Sequence, residues 1–179
     1  MSMDPVEVIM HPVRIRILRA FAGDETRTTA ELCERLAGDS QATIYRHVNV
    51  LADAGILEVV GDRRVRGAVE RTYRLNRSFA AVGADEASSM SHEDHRRAFT
   101  AAMAALLADF GAYLDFPNAN PANDLVAYRQ IPIWLTDEER LELVKQFERL
   151  VEGGRENDPG GDRREYLLSP VLFPLDGEQ

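Results

Sequence analysis

The stretch SQATIYRHVNVLADAGIL, residues 40–57, gathers side chains able to hold or read a nucleic acid at helical spacing. Ile44, Val48 and Leu51 form an apolar stripe, and Gln41, Thr43, Tyr45, Arg46 and Asn49 fall on the side away from it. Glutamine and asparagine can bond adenine edges, arginine can read guanine or hold phosphate, and threonine can serve either. Ser40 suits the cap of this helix, whose N-terminus itself favours a phosphate. Taken alone, the polar side chains would equally make a solvated face.

A second basic group follows. Arg63, Arg64 and Arg66 lie in GDRRVRG, between ILEVVG and VERTYRL, two segments whose period changes to that of strands. Glycine bounds this stretch on both sides, as at a hairpin tip. Such a tip is suited to phosphates and too mobile for fine base readout.

Other reactive side chains are sparse. Cys33 in ELCERL is the single cysteine, which excludes an intramolecular disulfide and reads as a small buried hydrophobe. His92 and His95 in SHEDH lie three apart, an incomplete metal pair that also reads as a capped helix start with acids near the dipole. His47 suits a local or phosphate hydrogen bond, and His11 stands before Pro12 at the start of a helix. There is no glycine-rich phosphate loop, nucleophile elbow or supported Cys/His pair, so an enzyme, a cofactor and a bound metal are not expected. Tyr128, Phe147, Trp134, Tyr166 and Phe173 could line an apolar cavity for a small-molecule effector, or simply form core.

The elements that would position these residues can be read from punctuation and period. A first helix is predicted from Pro12 to Phe21, with Gly23 as its stop, and a second in TTAELCERLAG, capped by Thr28 or Thr29 and ended by Gly38. The third begins after Ser40 and ends at Gly55. Three helices and then a basic hairpin is the order of a winged helix-turn-helix. Residues 78–90 are a short helix or a joint. From Ser91 to about Asp115 a long helix is predicted, with Phe99, Met103, Leu106, Phe110 and Tyr113 on a heptad-like seam and many flanking alanines. PNANPAND reads as a turn, LVAYRQIPIWL as a strand, TDEERLELVKQFERLVEGG as a helix boxed by Thr136 and Glu139, and EYLLSPVLFPL as a final strand.

The 179 residues carry a net charge of −9, but unevenly. Residues 1–77 sum to +1 and residues 40–77 to +3, whereas 78–179 sum to −10. The overall acidity therefore says little about the face holding Arg46 and the wing arginines. No window approaches the roughly 18 apolar residues of a membrane helix. The N-terminal MSMDPVEVIM has no export signal, so a cytoplasmic location without a membrane partner is expected.

Residues 10–76 resemble ArsR-type winged helix-turn-helix regulators. HPVRIRIL is similar to that group's first-helix signature, SQATIYRHVNVLADAGILE to its recognition helix and following turn, and RGAVERTYRL to its wing return strand. The resemblance implies a dimeric transcriptional regulator on a pseudo-palindromic operator, with Gln41, Thr43, Tyr45 and Arg46 at contact positions and wing arginines on the backbone. The lone Cys33 departs from the paired cysteines of the family's metal sensors. YRQIPIWLTDEERLELVKQFERL and REYLLSPVLFPL resemble the C-terminal extension of longer, two-domain members.

The expectation is an α+β protein with a winged helix-turn-helix over 1–77, a linker and long dimerisation helix over 78–116, and a small α/β regulatory or dimerisation domain over 117–179. Its partners would be operator DNA, a second copy, and an apolar effector. The alternatives are a protein-interaction module with a winged helix that does not read DNA, and a metal sensor using His92 and His95.

Overall fold

A computed structural model describes residues 5–21, 25–65, 68–76, 90–155, 157 and 160–175. The chain divides into two units, Met1–Asp124 and Leu125–Gln179. The first unit begins with α1 (Pro5–Ile9) and α2 (Pro12–Arg19). His11 caps α2, its Nδ1 accepting from the Val13 N–H at 3.2 Å, while Pro12 occupies the first turn, where a missing N–H costs nothing. The helix stops two residues short of the predicted Phe21, whose N–H bonds the Leu18 carbonyl at 3.1 Å as a closing turn. Gly23, the predicted stop, lies outside the described residues.

Thr26–Thr28 forms a short strand, β1, which the sequence reading did not anticipate. Thr28 then caps α3 (Thr29–Arg35): its hydroxyl accepts from the Glu31 N–H, and the Glu31 carboxylate accepts from the Thr28 N–H. A turn containing Gly38, at φ +93°, leads to Ser40 and α4 (Gln41–Asp53). Gly55, at φ +73°, follows α4 in the left-handed conformation that glycine adopts without strain. The hairpin is β2 (Leu57–Val65) and β3 (Ala68–Leu75), and the antiparallel sheet runs β1-β3-β2.

The core sits where the helices meet this sheet. Val8, Ile17, Phe21, Leu32, Leu36, Ile44, Val48, Leu51, Ile56, Leu57 and Tyr73 form one buried cluster. Ile44, Val48 and Leu51 are the stripe read from the sequence. Their burial fixes which side of α4 is left outward.

The long helix α5 (His92–Leu114) also belongs to the first unit and packs on α2. Its inward face is made of small residues, with Ala101 and Ala105 buried. Asp109, one turn beyond Ala105, accepts from Arg16 Nε at 2.6 Å and from Arg19. The alanines thus bring α5 close to a helix of its own chain. The predicted seam lies off that face: Met103, Leu106, Phe110 and Tyr113 are half-buried, and Phe99 is 49% exposed.

In the second unit, α6 (Asp137–Arg155) starts at Thr136 with the expected box, the Thr136 hydroxyl accepting from the Glu139 N–H and the Glu139 carboxylate from the Thr136 N–H. The predicted strands LVAYRQIPIWL and EYLLSPVLFPL are corrected here: among the described residues neither pairs into a ladder. A strand needs a neighbour's N–H and C=O groups, and the single chain brings none alongside. None of the described residues of this unit is buried.

Candidate nucleic-acid interface

The outward side of α4 is built from its first turn. Ser40 takes an extended conformation, and its Oγ accepts from the Thr43 N–H at 3.2 Å and lies 2.9 Å from Thr43 Oγ1. Ser40 and Thr43 are therefore engaged in the cap, and Thr43 is half-buried. Gln41, Arg46 and Asn49 are exposed, and Tyr45 is 50% exposed. These predicted residues come together on one helix flank, ahead of the capped N-terminus and its outward dipole.

Arg46 differs from most arginines around it. Arg16 and Arg19 pair with Asp109, Arg27 with Glu25, Arg63 with Glu70 and Arg74 with Glu58. Among the described residues no carboxylate pairs with Arg46, and its Nη2 lies 3.3 Å from His47 Nε2. A guanidinium can only donate, so Nε2 is the acceptor and the neutral His47 carries its proton on Nδ1.

His47 itself is 5% exposed and faces inward from α4. Its ring lies 4.3 Å from that of His11, tilted by 37°. Burial, reinforced by His11, Arg46 and Arg14, pushes the His47 imidazole down to about 4. Burial also lowers His11, with Arg14 and Arg46 adding to the effect. The sequence reading placed His11 and His47 singly and passed over Arg14. The signal available was HPVR, which sets His11 and Arg14 on one side of a helix.

In the hairpin, β2 and β3 pair antiparallel with Arg63 opposite Glu70 and Arg64 opposite Val69. Arg63 donates to the Glu70 carboxylate from Nη2 at 2.9 Å and Nε at 3.2 Å. Arg64 is exposed. Arg66, at the expected tip, lies outside the described residues. The sequence groups the wing arginines by spacing alone, and the hairpin register separates Arg63, engaged by a carboxylate, from the exposed Arg64.

Residues 9–60 match the family described as a helix-turn-helix domain. With α3, the turn and α4 followed by an antiparallel hairpin, the architecture is settled. The N-terminal part of the first unit has a winged helix-turn-helix fold. A solved structure similar to this chain, "a protein with a GntR superfamily winged-helix-turn-helix domain from Halomicrobium mukohataei", shares 17% identity, with a TM-score of 0.38, over 75% of this chain and 87% of that one. No curated protein matches the chain.

The remaining candidates are placed as follows. Cys33 is half-buried against the core, lines a shallow pocket of about 170 Å³ with Ala30, Glu34, Gln41 and Tyr45, and has its thiol pushed up by burial and by Glu34. A raised thiol is a poor nucleophile. His92 and His95 flank the α5 cap, in which Ser91 and Asp94 box each other and hold Asp94 down to about 2. Among the described residues no third imidazole, thiol or carboxylate joins them as a metal group. Tyr128, Trp134, Tyr166 and Phe173 are exposed rather than core, Trp134 by 91%, and Phe147 is half-buried. No helix among the described residues is long and apolar enough to cross a membrane.

Proposed function

We propose that the protein is a sequence-specific DNA-binding transcriptional regulator of the ArsR type, a cytoplasmic homodimeric repressor without an enzymatic activity. One observation carries the reading. A capped helix presents Gln41, Tyr45, Arg46 and Asn49 outward, with Arg46 unclaimed by any carboxylate among the described residues, directly ahead of a basic hairpin. The α4 helix would enter the major groove and the hairpin would lie on the flanking backbone. One such domain reaches a half-site, and two copies are needed for successive grooves about 34 Å apart.

Phe99, Met103, Leu106, Phe110 and Tyr113 are the candidate dimer seam, and the second unit is a further candidate contact. Its Leu125, Tyr128, Trp134, Leu150 and Phe173 are large apolar side chains left exposed in the single chain. Covering them is the role that residues 117–179 would take in dimerisation, or in binding an apolar effector.

The test is selection of bound duplexes from a random pool by the full-length protein, followed by affinity measurement over a range of salt. Enrichment of a two-fold symmetric sequence is expected. Arg46→Ala should then weaken binding to that sequence by about 1–3 kcal/mol. Binding with no sequence enrichment, or none at any salt, would leave the winged helix as a protein-interaction module instead.

A further inference from the structure

Among the described residues, two buried N–H donors of the first unit have no acceptor: Nδ1 of His47 and Nε of Arg14. Buried donors without partners are rare, and each calls for a physical explanation, such as strain, a water or an ion. They belong to one cluster. The His11 ring lies against that of His47, Arg46 bonds its Nε2, and Arg14 acts on both imidazoles electrostatically. His11 has its Nδ1 occupied by the Val13 N–H, which leaves a protonated Nε2 as a further donor when the ring is neutral. The nearest carboxylate acting on both rings is Asp39, and it is already paired with Arg16. The cluster is thus rich in donors and positive potential and poor in acceptors.

We propose that His11, Arg14, Arg46 and His47 form an oxyanion site, filled in the DNA complex by a phosphate of the backbone. The proposal rests on the DNA-binding reading above for the source of that phosphate, but not for the site itself. Two guanidinium groups supply charge, and the imidazoles supply directed N–H donors. A phosphate has enough acceptor oxygens to bond all of them, and charge-assisted bonds of this kind are the strong ones. Arg14 is half-buried, and among the described residues no partner holds its Nε. Arg46 ties the site to the outward side of α4, so a duplex engaged there brings its own phosphates to the flank where α2 begins. The α2 terminus would then hold the backbone while the rest of α4 reads bases.

The experiment uses the full chain and two readouts. The first is the slope of log K against log salt for a mixed-sequence duplex, in the wild type, Arg14→Gln, Arg14→Lys and, as a control, Lys145→Gln on α6. Loss of one phosphate contact should shallow the slope by about 0.9 in Arg14→Gln, with Arg14→Lys keeping most of it and Lys145→Gln all of it. The second readout is the imidazole N–H NMR spectrum of the wild type, titrated with inorganic phosphate at fixed ionic strength and, separately, with duplex. His11 and His47 signals should move while those of His92 and His95 stay. Movement with duplex alone identifies the backbone as the source, and saturable movement with phosphate as well shows that the free ion also binds. If the wild type binds no duplex, the DNA reading fails and the phosphate titration alone decides the site. An unchanged slope in a folded Arg14→Gln, or imidazole signals that move with neither ligand, overturns the proposal.

Discussion

Arg16 donates from Nε to Asp109 Oδ1 at 2.6 Å, joining two residues 93 positions apart in the chain. Arg16 is 4% exposed and also bonds Asp39 and the Ala37 carbonyl. One guanidinium therefore links α2, the turn ahead of α4 and the long helix α5. A buried cation is tolerated only when its donors are filled, so this group contributes to holding α5 on α2, beside the Arg19–Asp109 pair and the buried Ala101 and Ala105.

Asp109→Asn should accordingly destabilise the first unit by about 2 kcal/mol, the worth of charge-assisted bonds to a buried arginine that retains its bond to Asp39. Urea unfolding followed by circular dichroism measures it. An unchanged midpoint would mean that the alanine contacts alone hold α5.

Acid should expose the state of His47. Its folded value of about 4 lies below the ordinary 6.5, so between those values the unfolded chain binds a proton that the folded chain refuses. Stability then falls as pH drops from about 6.5 to about 4, by at most about 3 kcal/mol from this group. His47→Gln should flatten the wild-type curve in that window once both are measured by denaturant unfolding. Parallel curves for the two proteins would show that His47 takes up its proton without unfolding the chain.

How far the sequence disclosed this arrangement depends on how local each cause is. The caps at Ser40, Thr28, Ser91 and Thr136 were legible because a hydroxyl and an N–H three residues on suffice to make them. The inward stripe of α4 was legible because Ile44, Val48 and Leu51 share one helical face. The inner face of α5 was not. The large residues Phe99 to Tyr113 pointed to a contact with a second copy and the flanking alanines to a close helix approach, but which helix lies against the alanines depends on the ion pair of Asp109 with Arg16, which no periodicity reports. The LVAYRQIPIWL and EYLLSPVLFPL runs look like strands by composition, and composition does not reveal whether a neighbour exists. The three residues of β1 are too few to show a period at all.

In the wing, the Glu70 carboxylate holds the Arg63 guanidinium, and on the proposed reading it would compete with DNA for that arginine. Glu70→Gln should tighten binding to all duplexes alike, and its effect should largely vanish in an Arg63→Gln background. Arg64→Gln should shallow the salt slope by about 0.9. These are read by fluorescence anisotropy across a salt series. A Glu70→Gln effect of the same size in both backgrounds would show general charge repulsion and no release of Arg63.

Leu106→Asp places a charge in the half-buried middle of the α5 seam. A dimer held there should dissociate to monomers by light scattering at micromolar concentration. Persistence of the dimer, with a normal melting curve, would transfer the contact to the second unit.

The bare surface of that second unit has a calorimetric meaning. The heat capacity of unfolding comes largely from apolar area newly wetted, and α6 with its flanking segments has little left to wet. For an isolated chain, a scan would register the melting of α2, α4 and α5 against their shared core and scarcely notice residues 125–179. Any heat-capacity increment that grows with protein concentration would then be a direct gauge of the water excluded when another chain closes over Trp134 and its neighbours.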